Sequence, residues 1–198
     1  MKQVFLRKDE KLLWKGRPSN DRKFCKADYF LIPTFALMLA VICVIFVFAV
    51  RRSKLDATLI PFLLADALMA LLCLYGLIFR FLRKNYIKKR CRYYITTERV
   101  IVVRKGRLRD LHIGDAARVA RVTEKNRRGI GTIYLNQRWT LSNLYDNTGL
   151  DFDFLYGDGT QRRWGLPLRV EPLAFFDVSH CEDVLKTLKQ AGTHFYKA

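Results

Sequence analysis

Asp66 is the most chemically unusual residue in the chain. It is the one charge in Ala57–Phe79, a run that is otherwise apolar. A carboxyl group among aliphatic side chains has two uses. Protonated, it donates to a backbone carbonyl or a partner helix; ionisable, it moves protons or ions. Both readings stand, and helix contact is the plainer one. Asp66, Ala70 and Cys73 share a helical face. So do Ala36, Ala40 and Cys43 in an earlier apolar run, with Ala40 at about the depth of Asp66, and small residues let helices approach closely. A second chemistry is anion binding. Arg104, Lys105, Arg107 and Arg109 surround Gly106, and Arg80, Arg83, Lys84, Lys88 and Lys89 follow the second run. Their charges suit phosphate oxygens on a lipid surface, while an ordinary solvated face is the plainer reading of the group around Gly106. Asp151 and Asp153 form Asp-x-Asp, a metal-binding pattern, but in a strand they simply share the outward face.

Other chemistry has no foothold. His180 adjoins Cys181, yet no cysteine pair has metal-ligand spacing. No metal site and no cofactor are expected. Gly-x-Ser-x-Gly, phosphate-loop, Gly-x-Gly-x-x-Gly, His-Glu-x-x-His and Cys-x-x-Cys motifs are missing. No catalytic residue is assigned, and the chain reads as something other than an enzyme.

The elements that hold these residues are set by two apolar runs, Tyr29–Val50 and Ala57–Phe79. About 20 residues at roughly 1.5 Å each span a hydrocarbon core of roughly 30 Å, so either run is long enough to cross a bilayer. The first starts late, is long and lacks a following Ala-x-Ala site, which argues against a cleaved signal peptide. Nine Lys/Arg precede the first run within residues 1–28 and seven lie in Arg80–Arg92, against three in the turn Arg51–Asp56. The positive-inside rule then places both termini in the cytoplasm. The net charge of +18 concentrates beside these runs, which predicts attraction to anionic lipid. It does not predict nucleic-acid binding, because no recognition motif accompanies it. Five cysteines, two of them inside the runs, make no disulfide framework.

From Arg92 the pattern turns β-like. Tyr93–Val103 is rich in aromatic and β-branched residues, Lys105-Gly106 marks a turn and Leu108–Ile113 reads as a returning strand. Ala117–Thr123 reads as another strand, Lys125–Gly131 as a turn and Thr132–Leu135 as a short strand. Leu150–Leu155 alternates, and Gly157-Asp158-Gly159 closes a hairpin into Gln161–Leu166. The segment 136–149, with Trp139, reads either as an elaborated loop or as an extra strand. Trp139 and Trp164 suit a membrane interface and a protein core equally. Ser179–Glu182 has the capping-box pattern, Cys181, Val184, Leu185 and Leu188 give one apolar helical face, and Gly192 is a plausible stop. The predicted class is an α+β membrane protein. Residues 1–28 form an N-terminal segment, 29–82 a helical hairpin (29–50 and 57–79), and 90–195 an antiparallel β domain capped by one helix.

Short motifs sharpen this. Asp9-Glu10-Lys11-Leu12-Leu13-Trp14-Lys15-Gly16-Arg17-Pro18 resembles the opening of bacterial membrane-anchored pleckstrin-homology (PH) domain proteins. Tyr94–Ile101 looks like their first strand pair, Gly131-Thr132-Ile133 a later strand, and Phe176-Asp177-Val178 the entry to their last helix. The resemblance implies a PH-like β-barrel or sandwich behind a two-helix anchor in the bacterial cytoplasmic membrane, with Trp14 packed on the domain. It implies fold and attachment rather than chemistry. The expected role is a membrane-tethered module that binds a protein partner, anionic lipid or its own copies. The alternative is an accessory or small oligomeric component of a transport system, which would use Asp66.

Overall fold

The structure, a computed structural model, describes residues 6–21, 24–52, 59–104, 106–135, 147–150, 156–157, 162–163, 166–167, 169–170 and 173–195. The apolar runs form α1 (Asp28–Arg52) and α2 (Leu59–Leu74). One π-helical turn, Tyr75–Phe79, carries α2 without a break into α3 (Arg80–Arg90). α1 and the continuous helix from α2 through α3 are each long and apolar enough to cross a membrane, and little of their apolar stretches is buried against the rest of the protein.

The two helices run antiparallel, because Asp28 meets Arg80 while the Phe35 ring lies against Gly76. By that register the residue opposite Asp66 is close to Ile45 rather than Ala40. The covered face of α1 carries Phe35, Leu39 and Ile42, while Ala36, Ala40 and Cys43 point outward. The small-residue stripe expected on α1 is therefore corrected. Gly76, in the π-helical turn, admits the Phe35 ring from α1, so bulk on one helix meets the gap on the other. On α2 the expected face holds, with Asp66 and Ala70 half-buried and Cys73 buried. Among the described residues Asp66 makes no hydrogen bond or ion pair.

The sheet draws on both sides of these helices. β1 (Leu12–Gly16) precedes α1, yet it pairs antiparallel with β2 (Arg92–Thr96), Trp14 lying opposite Ile95. β3 (Arg99–Arg104) and β4 (Arg107–His112) complete a four-stranded sheet ordered β1-β2-β3-β4. The segment 1–28 thus supplies the edge of the sheet, and the helices interrupt its first connection. Trp14 is half-buried, its ring 5.7 Å from Phe175.

After β4 the structure departs from the strand expected over Ala117–Thr123. Residues Ile113–Val119 form α4, and only Arg121–Thr123 is a strand, β5. Ala116 and Ala117 favour helix. The ring of His112 accepts from the Gly114 amide at 3.3 Å and so caps the helix start. β6 (Gly131–Tyr134) follows the turn built on Asn126, whose side-chain oxygen accepts from the Arg128 and Ile130 amides at 3.0 and 2.9 Å. Four two-residue strands come next: β7 (Tyr156–Gly157), β8 (Arg162–Arg163), β9 (Leu166–Pro167) and β10 (Arg169–Val170). β8 pairs antiparallel with β9, and β7 pairs in parallel with β10. The strand read over Leu150–Leu155, the hairpin turn at Asp158-Gly159 and most of segment 136–149 lie outside the described residues.

β11 (Ala174–Val178) joins β6 and β5 in a three-stranded antiparallel sheet ordered β11-β6-β5. The chain then forms α5 (Cys181–Phe195). Cys181, Val184 and Leu188 are buried and Leu185 half-buried, as the spacing predicts. The capping box is not made. Glu182 pairs with Lys125 instead, and the Cys181 amide donates to the Gly129 carbonyl at 3.2 Å. Gly192 is no stop, because α5 continues to Phe195. A Cβ there would come within 2.3 Å of the Ala117 Cβ, so glycine is what lets α5 cross α4. One core unites the domain: Tyr93, Ile95, Val100 and Val102 from the first sheet, Ile133, Phe175 and Val178 from the second, and Ile113, Ala116, Val184 and Leu188 from the helices. The Tyr93 ring stacks on Phe175 at 4.7 Å, and its hydroxyl accepts from the Phe176 amide at 3.0 Å.

Candidate functional site

The densest chemistry lies along the inner face of α3. Arg80, Lys84 and Lys88 fall at intervals of four, one stripe of a helix. They are 0%, 3% and 4% exposed. Ion pairs of this kind are expensive to desolvate, so they persist only where partners are placed to meet them. Two aspartates do that.

Asp28 opens α1, where the helix dipole favours an acid. Its carboxylate takes an ion pair from Arg80 and lies 4.0 Å from the Lys84 ammonium. The Cys25 amide and thiol donate to the same carboxylate at 2.7 and 3.1 Å. Burial, reinforced by Asp28 and offset in part by Lys84, pushes the Cys25 thiol up to about 12, so it stays protonated. The Arg80 guanidinium also lies 4.3 Å from the Phe81 ring.

Asp177 is the second anchor. It sits at a bulge in β11 between Phe175 and Val178, with φ of 51°. Aspartate tolerates that left-handed conformation better than most residues. The bulge breaks the strand's alternation and lets five successive side chains be buried. Lys88 pairs with Asp177 at 2.7 Å and donates to the Ser19 carbonyl at 3.3 Å. The Asn147 amide nitrogen donates to Asp177 at 2.7 Å. Between the two anchors, Arg83 donates to the Gly149 carbonyl at 2.6 Å and Arg80 to the Thr148 carbonyl at 3.4 Å. Gly149 has φ of 88°, and a Cβ there would fall 2.1 Å from the Arg80 carbonyl oxygen. Only glycine fits this wedge against the helix.

The cations offered by the sequence to a lipid headgroup therefore divide. Arg80, Lys84, Lys88 and Arg104 turn inward, which corrects their expected surface role, because buried acids or rings lie within reach. Arg104 stands 4.8 Å over the Phe176 ring. Arg83 is half-buried on Gly149. Arg109 is half-buried, while Lys89 and Arg107 are exposed. Lys105, Trp139, Asp151, Asp153 and Trp164 lie outside the described residues. Sequence reading missed Asp28, Asn147, Thr148, Gly149 and Asp177 as a set. The interval of four between Arg80, Lys84 and Lys88 was the available signal.

A second feature is a cleft of about 360 Å³ lined by Arg7, Glu98, Arg99, Asp110, Leu111 and His112. Its charges satisfy one another. Arg99 donates to Glu10 at 2.9 and 3.1 Å and to Asp110 at 2.7 Å, and Arg7 pairs with Glu98 at 3.3 Å. Burial alone would raise the Glu10 carboxyl. Hydrogen bonds from Arg99, the Arg7 amide and Thr96 outweigh it and hold the acid down to about 2. This cluster ties the lead-in of β1 to the β2–β3 turn. Among the described residues no three His, Cys, Asp or Glu side chains gather as a metal site. No protein-family model matches the chain, and no curated protein or solved structure matches it either.

Proposed function

We propose that the chain is a non-enzymatic, membrane-tethered interaction module. α1 and α2 anchor it in the bacterial cytoplasmic membrane, both termini are cytoplasmic, and a PH-like domain at the inner leaflet binds a protein partner, lipid or its own copies. One observation carries the reading: β1 and β2 pair in one sheet although both apolar helices lie between them. If those helices cross a bilayer, strands on either side of them pair only when both lie on the same face of it. The lysine and arginine excess beside the helices favours the cytoplasmic face. A four-stranded and a three-stranded antiparallel sheet with one terminal helix support the PH likeness in outline. The seam of Asp28, Arg80, Lys88 and Asp177 supports a rigid junction, in which tethering raises the domain's effective concentration for neighbours.

Sidedness tests it. Epitope tags at both ends are expected to resist protease in spheroplasts and to be cleaved in inverted vesicles. A tag cleaved from outside at either end overturns the reading. Asp66, half-buried without a partner, favours a second reading as an oligomeric transport component. A monomeric mass in detergent, with Asp66→Leu behaving as wild type in cells, removes that reading.

A further inference from the structure

The seam along α3 has a reverse side. On a helix in water, Arg80, Lys84 and Lys88 would face solvent and the apolar residues would be buried. Here Phe79 at 55%, Leu82 at 61% and Tyr86 at 55% are exposed, with Ile78 and Asn85 beside them, and Ile87 is the one apolar side chain of α3 buried with the cations. Below them on the same face come Lys89 and Arg90, both exposed, and the Arg90 guanidinium lies 4.1 Å from the Tyr86 ring. The outer face therefore grades from apolar through amphipathic to cationic within about three turns. From Leu82 to Lys89 the helix rises roughly 10 Å. The headgroup layer on one side of a bilayer is about 5–8 Å thick, so this gradient matches a helix passing from hydrocarbon through headgroups into water. The continuous helix from Leu59 to Arg90 is roughly 48 Å long, more than hydrocarbon alone accommodates. Tyr29 and Phe30, at the same end of α1 as Asp28, are also exposed and extend an aromatic girdle at that level.

We infer that the outer face of α3 is a binding surface for anionic phospholipid. Phe79 and Leu82 lie against acyl chains, Tyr86 sits at the glycerol level, and Lys89 and Arg90 meet headgroup phosphates. The inference rests on the membrane reading above and deepens it by naming the ligand. Water is a poor occupant, since it would leave an apolar stripe bare while three cations of the same helix are buried. A second copy of the chain would bring its own Lys89 and Arg90 to the same rim, like charge against like, whereas anionic headgroups complement it.

Photo-crosslinking of the full chain tests this. Benzoylphenylalanine is placed singly at positions 46, 82, 86 and 186, and the chain is reconstituted in vesicles of phosphatidylethanolamine and phosphatidylglycerol. Lipid adducts are expected at 46, 82 and 86 and not at 186, an exposed position on α5. At 86 the phosphatidylglycerol adduct is expected to exceed its share of the mixture about fivefold, the equivalent of about 1 kcal/mol. Lys89→Glu with Arg90→Glu is expected to abolish that excess. Adducts at 46 but not at 82 or 86 overturn the inference and leave the membrane reading standing. Chain-to-chain products at 82 and 86 without lipid overturn it in favour of a second copy. Equal adducts of the two lipids at 86 overturn the anionic preference, and no lipid adduct at 46 overturns the membrane reading itself.

Discussion

α3, of 11 residues, and α5, of 15, are built with opposite polarity. α5 buries Cys181, Val184 and Leu188 and exposes Glu182, Asp183, Lys186 and Lys189. α3 buries Arg80, Lys84 and Lys88 together with Ile87, and exposes Leu82 and Tyr86 beside Asn85, Lys89 and Arg90. Each helix is amphipathic, so amphipathicity alone does not say which face is inside. What decides is whether the interior supplies acids and whether the exterior supplies water. α5 has the apolar ends of two sheets beneath it. α3 has Asp28 and Asp177 beneath it, and an outer face suited to something less polar than water.

The sharpest way to break this contrast is to remove the acid. Asp28→Asn leaves Arg80 fully buried with its counter-charge gone. Removing one partner of a buried pair costs about 3–5 kcal/mol. The loss is expected as a large drop in the unfolding midpoint in detergent. Arg80→Met together with Asp28→Leu removes both charges and is expected to recover most of that loss. If the double variant is as unstable as the single one, the pair is not what closes the junction.

Much of the fold was legible in the sequence, for identifiable reasons. The apolar runs, the β-rich stretch from Tyr93 to Val103 with its turn at Lys105-Gly106, and the buried face of α5 each rest on a local signal that one stretch of chain displays, while the division of that stretch into β2 and β3 was implied by the PH resemblance. One failure is local: Ala117 reads as strand beside Val119, although the local signals for helix, two alanines and the His112 cap, are there to be weighed. The other failures are places where a distant contact decides. Glu182 reads as a cap but is taken by Lys125. Asp28 and Arg80 are 52 positions apart, and neither spacing nor composition joins them. β1 is the clearest case. Its sequence resembled a domain opening, yet two intervening helices hid the fact that it completes the sheet.

β1 also offers a milder test, because an acid holds it. Glu10 is buried and its carboxyl is held down to about 2, while in the unfolded chain it titrates in its ordinary range near 4.5. A lowered folded value stabilises above the unfolded one, and the benefit is lost as pH falls through the interval. The size is on the order of 3 kcal/mol. The unfolding midpoint is expected to be steady from pH 7 to about 5 and to fall from there toward pH 2. Glu10→Gln is expected to start lower and to lose most of that slope. An unchanged slope would place the acid sensitivity elsewhere than in the Glu10 cluster.

The smallest expected effect completes the comparison, because it holds distance fixed and varies burial. Lys125 pairs with Glu182 at 2.6 Å and Lys88 with Asp177 at 2.7 Å. By length they are equivalent. The first pair is exposed on both sides, so water and salt screen it, and its formation costs two mobile side chains their freedom. The second is enclosed, and deleting Lys88 takes a buried counter-charge away from Asp177. Lys125→Met is expected to leave the unfolding midpoint unchanged in 0.1 M and in 1 M salt, whereas Lys88→Met lowers it in both. If Lys125→Met proves as damaging as Lys88→Met, then the α5 start depends on that exposed pair, and burial is not what separates the two ends of the domain.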